Sequence, residues 1–486
     1  MSEKLTEEIL KDINKNSSVS RRDALKMAMA TPLALSIFGA EEAQAMPVSD
    51  AKGKIVIVGG GLSGLSTAAR LCRRLKNPDV TLIEPNEHSV SYQAGTSLIA
   101  ADVYKKEDVW YNTKDYMPSE VKWIKRSAAN FDPENNTVIL DNGERISYDY
   151  LIVAMGMALN YGAVDGLVGQ TTTSGDCKEV REKVGKNGVY SLYFIDGSVD
   201  ARDGIKSIIQ RAKKMSKNDP KLELIFSDSP TPIKCGGAPK KIAYIAHDLI
   251  KKTGVRDRVN ITFYTNSGKL FNVPEYAEAI EKQFKARDIK FFFKTRLVKV
   301  DTQNQVATFE KSRIEKGEFD KDLGEYEEIK KTETFEKKFD FLHVVPHQGA
   351  PKAVGDSPLG SSTSFVPVDK ETLQHVKFKN VFSIGDCAAV PLGKTGGSAR
   401  KQYKVLVENL VTLMEGGTEF KEKYDGYTVC PLITGVGTVM FAEFDWSGHP
   451  APSFPLDPMQ ERWTMWILKA YIMKPMVMCG MLSGRI

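Results

Sequence analysis

Six cysteines carry the thiol chemistry available to this 486-residue sequence. They are scattered, without Cys-x-x-Cys spacing or clustered histidines, so neither a disulfide scaffold nor a metal site is predicted. Two of them stand beside glycines in turns: Cys235 within residues 232–239, and Cys387 directly after Gly385-Asp386. Two thiols that a fold brings together can form a disulfide, react with a sulfur nucleophile and exchange two electrons. Such chemistry depends on the elements that position the two turns.

The bulk composition indicates an ordinary globular protein. The sequence is 42% hydrophobic and 27% charged, with a formal net charge of +5. Its length suits two or three domains. No long Lys/Arg run is present, so nucleic acid is not a predicted partner.

A complete β-α-β unit lies near the N-terminal end. The apolar runs at Lys54–Val58 and Asp79–Ile83 predict two buried strands, and residues 65–75 between them predict a helix. The first turn, residues 59–64, reads Gly-Gly-Gly-Leu-Ser-Gly, which fits the G-x-G-x-x-G fingerprint of dinucleotide binding.

Four residues of this unit are predicted to hold a nucleotide. Gly59 makes the tight turn, Gly61 lets the backbone approach a pyrophosphate, and Gly64 lets the helix pack on the sheet. Glu84, about 20 residues further on, is placed to accept hydrogen bonds from ribose hydroxyls.

Two later segments favour FAD as the nucleotide. Residues 148–156 predict a strand that ends in Ala-Met-Gly at Gly156, and residues 380–386 predict a strand that ends at Gly385 and Asp386. In order and spacing these segments resemble the flavoproteins with two dinucleotide-binding domains, although those usually have Ala-Thr-Gly at the first position. The resemblance implies FAD, with Gly156 close to it and Asp386 on its ribityl hydroxyls.

The second domain lacks a nucleotide fingerprint. Strands are predicted at residues 189–194 and 222–226, and the second leads into the turn that carries Cys235. This argues against NAD(P)H as the reductant. Cys387 is expected near the flavin because its neighbour Asp386 holds the ribityl chain, and Cys235 approaches from the other domain. The two are therefore predicted to be the catalytic redox pair.

Residues 232–242, 368–375 and 423–432 resemble segments of the sulfide:quinone oxidoreductases, most closely the branch that includes the mitochondrial enzymes. The likeness runs from Lys54 to the C-terminus, with a long insertion between Asp196 and Asp219. It implies oxidation of hydrogen sulfide at Cys235 and Cys387, with electrons passed through FAD to a membrane quinone and the sulfur to an unassigned acceptor. Lys234 and Lys394 stand beside the cysteine turns and could favour thiolates, unless they are solvated surface charges.

The remaining cysteines receive smaller roles. Cys177 matches the region where some branches carry a third functional cysteine, but a plain loop thiol is the favoured interpretation. Cys430 lies in a family motif without an evident partner, so a packing role is preferred, as it is for Cys72 in the first helix.

The N-terminal residues 1–45 are predicted to be a twin-arginine export signal. Arg21-Arg22 precede a short apolar run, and Ala43-Gln44-Ala45 resembles a cleavage site. A bacterial periplasmic location, peripheral on the cytoplasmic membrane, is therefore expected. The alternative is a disordered arm with a chance arginine pair.

The C-terminal residues 421–486 are rich in Met and aromatic side chains and predict a segment at the membrane interface. An amphipathic helix packed on the core or on a second subunit is the alternative, which leaves a homo-oligomer open. Phe441 and Tyr427 are candidates to line a quinone pocket. The charged residues 310–338 predict a solvated hairpin.

These expectations combine into an α/β fold with two Rossmann-like domains. Residues 52–160 and 350–420 are predicted to form a discontinuous FAD domain, and residues 161–349 the second domain.

Three rival functions are considered. A flavocytochrome c sulfide dehydrogenase would carry a cysteine within residues 85–96, which is absent, and a type 2 NADH dehydrogenase would need the missing second fingerprint. A non-catalytic persulfide carrier would keep Cys235 but show no turnover.

Overall fold

The computed structural model describes residues 47–320, 325–454 and 456–486, and the predicted export signal lies outside them. The strands are β1 Lys54–Val58, β2 Asp79–Ile83, β3 His88–Ser89, β4 Tyr111–Asn112, β5 Lys122–Ile124, β6 Ala128–Asp132, β7 Thr137–Leu140, β8 Arg145–Ser147, β9 Tyr150–Val153, β10 Ala158–Asn160, β11 Gln170–Thr171, β12 Val189–Tyr190, β13 Leu222–Ser227, β14 Val259–Tyr264, β15 Ile289–Phe292, β16 Thr295–Asp301, β17 Val306–Asp320, β18 Glu325–Lys338, β19 Phe341–His343, β20 His347–Gly349, β21 Val381–Ser383, β22 Thr428–Gly435, β23 Thr438–Phe444 and β24 Glu461–Arg462.

The helices follow the same chain order. They are α1 Leu62–Arg74, α2 Gly95–Ala100, α3 Ile195–Lys214, α4 Ala238–Lys252, α5 Pro274–Ala286, α6 Lys352–Gly355, α7 Gly396–Met414, α8 Trp463–Ile467 and α9 Met473–Pro475. Two π-helical stretches, Leu468–Ile472 and Met476–Met481, continue α8 and α9 into one C-terminal helical segment.

The first sheet is parallel, in the order β21-β9-β1-β2-β5. Strands β1 and β2 are buried on both faces, as their continuous apolar runs predict. Strand β21 joins from much later in the chain and pairs with β9, so the carboxyl ends of β1, β9 and β21 meet at one edge. The segments that end in Gly59, Gly156 and Gly385 are thereby collected at one place, as the sequence predicts.

The second sheet is also parallel, in the order β12-β19-β13-β14-β15. The strand predicted at residues 189–194 is shorter than expected, because the chain leaves the sheet after Tyr190 and enters α3 at Ile195. Helix α3 accounts for most of the insertion after Asp196. Strand β13 leads through the turn that carries Cys235 into α4, so this turn lies at the carboxyl edge of the second sheet.

A third, antiparallel sheet in the order β22-β23-β24 covers the junction between the two parallel sheets. All eight residues of β22 are buried, and the strand packs against both α4 and α7. It therefore lies between the helix that follows the Cys235 turn and the helix that follows the Gly385-Asp386 turn.

The charged residues 310–338 form most of the β17–β18 ribbon, and the predicted hairpin is confirmed. Ile314 and Tyr326 on it are exposed. A search of the described residues finds no helix with the length and apolar character needed to cross a membrane.

Candidate active site

One cavity of about 580 Å³ extends from the glycine turn after β1 to the C-terminal helical segment. Its walls come from both parallel sheets and from the C-terminal region. Among the residues that line it are Gly59, Gly61, Glu84, Gly156, Cys235, Lys241, Gly385, Asp386, Tyr427, Phe441, Leu468 and Met476. With the exception of Cys387 and Gly64, every residue predicted from the sequence to touch cofactor or substrate lines this single space.

The turn between β1 and α1 has the shape of a phosphate cradle. Gly59 has φ +106°, a conformation that favours glycine, and a Cβ at this position would lie 2.4 Å from the carbonyl oxygen of Ala154. At Gly61, in contrast, a Cβ would meet no atom within 4 Å, because it would point into the cavity. No side chain caps the N-terminus of α1, so its first N–H groups are available to an anion in this space.

Glu84 follows β2 and is buried at the rim of the cradle. Its Oε2 accepts a hydrogen bond from the Gly60 N–H at 2.6 Å, and its Oε1 accepts from the backbone and side chain of Asn86 at 2.8 and 2.7 Å. Burial raises the pKa of this carboxyl, while the bonds from Gly60 and Asn86 oppose the shift. Within the protein, the Glu84 carboxylate stabilises the glycine turn through its bond from the Gly60 N–H. The predicted bonds to ribose hydroxyls would use the remaining lone pairs.

The other side of the cavity is formed by turns with left-handed glycines. Gly156 has φ +67° and faces open space, and Gly385 has φ +72° and donates its N–H to Gln402 Oε1 at 2.8 Å. Burial raises the pKa of Asp386, while Lys234 and Lys394 oppose the shift. Lys394 donates to the carbonyl oxygens of Asp386 and Ala388 at 2.7 and 2.9 Å and so fixes this turn.

These features fit a long dinucleotide. The cradle has uncapped N–H groups and an open position at Gly61. The cavity continues past Asp386 to the turn that carries Cys235. No group of His, Cys, Asp and Glu side chains among the described residues could hold a metal ion.

Cys235 lies at the centre of the cavity wall, on the turn between β13 and α4. Its φ is +52°, an uncommon conformation for a residue with a side chain, and its N–H donates to the Lys394 carbonyl oxygen at 3.0 Å. This bond links the Cys235 turn of the second domain to the segment that follows Asp386. The thiol is half-buried and lines the cavity.

The sulfur nearest to Cys235 belongs to Cys430 in the middle of β22, with the two Sγ atoms 3.9 Å apart. Cys430 is 2% exposed. Gly237 permits this approach, because a Cβ there would lie 2.5 Å from Cys430 Sγ. The sequence indicates no evident partner for Cys430, whereas the structure places the sulfur of Cys235 beside it.

Lys241 supplies a positive charge to the pair. It lies one turn into α4, and its Nζ donates to Cys235 Sγ at 3.2 Å. The Cys430 thiol and then Lys241 hold the pKa of Cys235 well below that of an ordinary thiol, although burial opposes them. The interaction with Cys235 and burial raise the pKa of Cys430. Because Lys241 contacts Cys235 directly, negative charge on the pair is favoured at Cys235 over Cys430.

A second lysine, Lys469, approaches from the C-terminal helical segment. Its side chain is completely buried, and its Nζ has no hydrogen-bond partner within the part of the chain that the structure describes. Burial and the nearby Lys241 ammonium lower its pKa to about 7, while Cys235 and Cys430 oppose the shift. An unpaired amine beside two sulfurs is a costly arrangement in a protein interior, and an anion bound there would relieve it.

Cys387 does not join this pair. It ends a short 3₁₀ turn, Gly385–Cys387, and its thiol is fully buried and absent from the cavity wall. Cys387 Sγ lies 3.4 Å from the Val153 carbonyl oxygen and 3.6 Å from Ser383 Oγ, so it points into the first sheet. Burial raises its pKa. The structure therefore does not bring the two predicted partners Cys235 and Cys387 together, because the turn that presents Asp386 to the cavity directs the next side chain away from it.

The other candidates lie outside the sulfur pair. Cys177 Sγ is 3.6 Å from Asp196 Oδ2, and burial followed by this carboxylate raises its pKa to about 11, which fits a loop thiol. Lys234 donates to Thr173 Oγ1, and Lys394 holds the Asp386 turn, so the contact with Cys235 is made instead by Lys241. Lys241 lies in the first turn of α4 next to Lys240, which pairs with Asp228 instead, and no signal in the sequence distinguishes the two lysines.

Comparisons with known proteins identify relatives of this chain. Residues 53–194 match the family model described as pyridine nucleotide-disulphide oxidoreductase. The chain is 35% identical to "Sulfide:quinone oxidoreductase, mitochondrial" of Dictyostelium discoideum, covering 89% of this chain and 86% of that protein. The protein of the same name from Mus musculus is 34% identical, with coverages of 89% and 86%. The solved sulfide:quinone oxidoreductase of Aquifex aeolicus shares the fold, with a TM-score of 0.65 at 20% identity over 86% of this chain and 89% of that one.

The fold, the glycine cradle and the family match define an FAD-dependent flavoprotein of the pyridine nucleotide-disulphide oxidoreductase class. Within that class, the identity to full-length relatives shows that the chain belongs to the sulfide:quinone oxidoreductase family. One prediction is overturned by the same relatives. Both are named as mitochondrial proteins of eukaryotes, as is a further relative from Schizosaccharomyces pombe, and this contradicts the bacterial periplasmic location predicted from residues 1–45.

Proposed function

We propose that this protein oxidises hydrosulfide at a Cys235–Cys430 disulfide and passes two electrons through FAD to a quinone. The observation that carries the proposal is that Cys235 lines the nucleotide cavity with Cys430 only 3.9 Å away. Two cysteines at this distance can close a disulfide with a small side-chain movement. Gly59, Gly61, Glu84, Gly156, Gly385 and Asp386 are the residues that would hold FAD.

Hydrosulfide attacks Cys430 in the first step of the proposed reaction. The bond between Cys235 and Cys430 breaks, a new S–S bond forms on Cys430, and Cys235 leaves as a thiolate. Attack at Cys430 is favoured because the thiol of lower pKa is the better leaving group, and Lys241 stabilises the thiolate of Cys235.

A nucleophile such as a thiol, sulfite or a second sulfide then removes the outer sulfur from Cys430 and leaves a thiolate there. When Cys235 and Cys430 close their disulfide again, two electrons are released. FAD, when bound, supplies the two-electron acceptor that links the sulfur site to the quinone.

The quinone is proposed to enter between β23 and the C-terminal helical segment. Phe441, Phe454, Leu468, Met476 and Val477 give this end of the cavity an apolar wall suited to a quinone ring. The same helical segment is the proposed contact with the membrane surface.

The test is anaerobic stopped-flow absorbance of the FAD-loaded protein, mixed first with sulfide and then with a short-chain quinone. Wild type is expected to lose and regain the oxidised flavin spectrum. Cys235→Ser and Cys430→Ser are expected to lose sulfide-dependent bleaching, and Cys387→Ser, the matched buried-thiol control, to retain it. Bleaching retained in Cys430→Ser but lost in Cys387→Ser would overturn the proposed pair. Bleaching by NADH but not by sulfide would overturn the function.

A further inference from the structure

The cavity contains a buried carboxylate that the sulfur chemistry does not use. Glu443 is on β23, its residue is 1% exposed, and it lines the cavity near Phe441. It lies outside the predicted nucleotide cradle and outside the set of groups around Cys235. A carboxylate buried in a substrate cavity is costly unless it is fully hydrogen-bonded, so its partners are informative.

Three donors converge on this carboxylate. The Tyr427 hydroxyl donates to Glu443 Oε1 at 2.5 Å, the Ser453 hydroxyl donates to the same oxygen at 2.7 Å, and the Ser453 N–H donates to Oε2 at 2.9 Å. Tyr427 and Ser453 also line the cavity. The phenol of Tyr427 is thus bonded to a buried carboxylate and lines the same cavity as the apolar wall proposed for the quinone.

The surroundings keep the phenol protonated. Burial, and then the charge of Glu443, raise the pKa of Tyr427. The other charges that face it are cationic: Arg400, whose charge acts on the phenol, and Lys401, whose Nζ lies 5.8 Å from the ring centroid. The hydroxyl of Tyr276 donates to the Glu443 main-chain carbonyl at 2.8 Å, and this bond fixes the backbone that carries the carboxylate.

We propose that Tyr427 and Glu443 form the proton-transfer pair for quinone reduction, an inference that rests on the proposed function. Reduction of a quinone to a quinol takes two electrons and two protons, and an apolar cavity offers few donors for the protons. Glu443 Oε1 first takes a proton from water that enters the cavity. The protonated carboxyl then donates this proton to the Tyr427 oxygen, while the Tyr427 O–H turns to a quinone oxygen and gives up its own proton, so that the phenol is restored. Two rounds supply both protons, and both electrons arrive from the reduced flavin. Tyr427 is the catalytic residue in this scheme, and Glu443 supplies its proton.

The test separates proton delivery from electron transfer by changing the acceptor. Sulfide-reduced protein is reoxidised either with a short-chain ubiquinone, which needs protons, or with ferricyanide, which takes electrons alone. Glu443→Gln and Tyr427→Phe keep the side-chain shapes, and Glu275→Gln removes an exposed carboxylate that pairs with His449 outside the cavity, as a matched control.

Reoxidation by ubiquinone is expected to slow about 10²-fold or more in both cavity variants, because this is the usual contribution of a positioned acid. Reoxidation by ferricyanide, reduction by sulfide, and every rate of Glu275→Gln are expected to stay unchanged. Calorimetric titration of oxidised protein with the quinone should give the same affinity for Glu443→Gln as for wild type. Redox-difference infrared spectra should show a carboxyl protonation change in wild type that Glu443→Gln lacks.

Two results would overturn the inference: equal slowing with both acceptors, which marks a structural role, or ubiquinone reoxidation of both cavity variants at the wild-type rate. Failure of wild type itself to reoxidise with ubiquinone would instead refute the proposed quinone reaction.

Discussion

Replacement of Lys241 by methionine removes the only charge that contacts Cys235 among the described hydrogen bonds and ion pairs, while it keeps most of the side-chain volume. At 3.2 Å and an effective dielectric constant of 20, Coulomb's law gives about 5 kcal/mol for the ion pair. This is an upper limit, because Lys469 remains nearby. Hydrogen bonds to charged groups contribute about 1.5–3 kcal/mol, which corresponds to a rise of about 1–2 units in the pKa of Cys235.

The direction of the change follows from the charge. Lys241 favours the thiolate and depresses the pKa of Cys235, so its loss must raise that pKa and lower the thiolate population at neutral pH. The measurement is the rate at which iodoacetamide alkylates Cys235 in the reduced protein across a pH series, read by mass spectrometry of the peptide that contains it. Lys252→Met, an exposed replacement at the end of the same helix, is the matched control. An unchanged midpoint in Lys241→Met would refute the assignment of the thiolate to this contact.

Three further predictions concern Lys469, the cradle and the scaffold. Lys469→Met should raise the pKa of Cys235 by less than Lys241→Met does, because Lys469 makes no direct bond to the sulfur. Thermal melts should show this variant to be at least as stable as wild type, because the substitution removes a buried amine. Gly61→Ala should fold but bind FAD more weakly. Gly64→Ala should fold poorly, because its Cβ would lie 1.8 Å from the Gly59 carbonyl oxygen. Circular dichroism measures the folding of each variant, and the flavin content of the purified protein measures its FAD binding. Glu408→Ala should lower the melting temperature, since Glu408 pairs with the buried Arg74 guanidinium at 2.9 Å. A melting temperature equal to that of wild type would show that this pair contributes nothing.

The first two strands of the first sheet could be predicted from the sequence, because short contiguous segments of the chain determine them. The apolar runs of β1 and β2 and the glycine fingerprint between them are contiguous, and the structure has both strands at the predicted bounds. The strand predicted through Phe194 stops at Tyr190, where α3 follows, because apolar residues of a buried helix and of a strand look alike over a few positions.

The cysteine pair could not be predicted, because it depends on a contact between distant parts of the chain. Cys235 and Cys430 are 195 residues apart in sequence, and they meet only because β22 packs against α4. Cys387 was the attractive partner because it follows Asp386, but proximity in sequence does not fix the direction of a side chain. Lys469 could not be predicted as a site residue either: a lysine in an amphipathic segment is expected to be solvated, whereas the π-helical stretch buries it completely.

The left-handed backbone conformation of Cys235 lowers the stability of the fold, while the thiol at the same residue is needed for the proposed chemistry. A side chain in this conformation costs about 1–2 kcal/mol, which glycine would not incur. Cys235→Gly is therefore a substitution that should make the fold more robust to heat while it removes the thiol. A lineage that relaxed its demand for sulfide chemistry could drift to glycine at position 235 with a gain in stability, and the cysteine would be among the first features of the site to disappear.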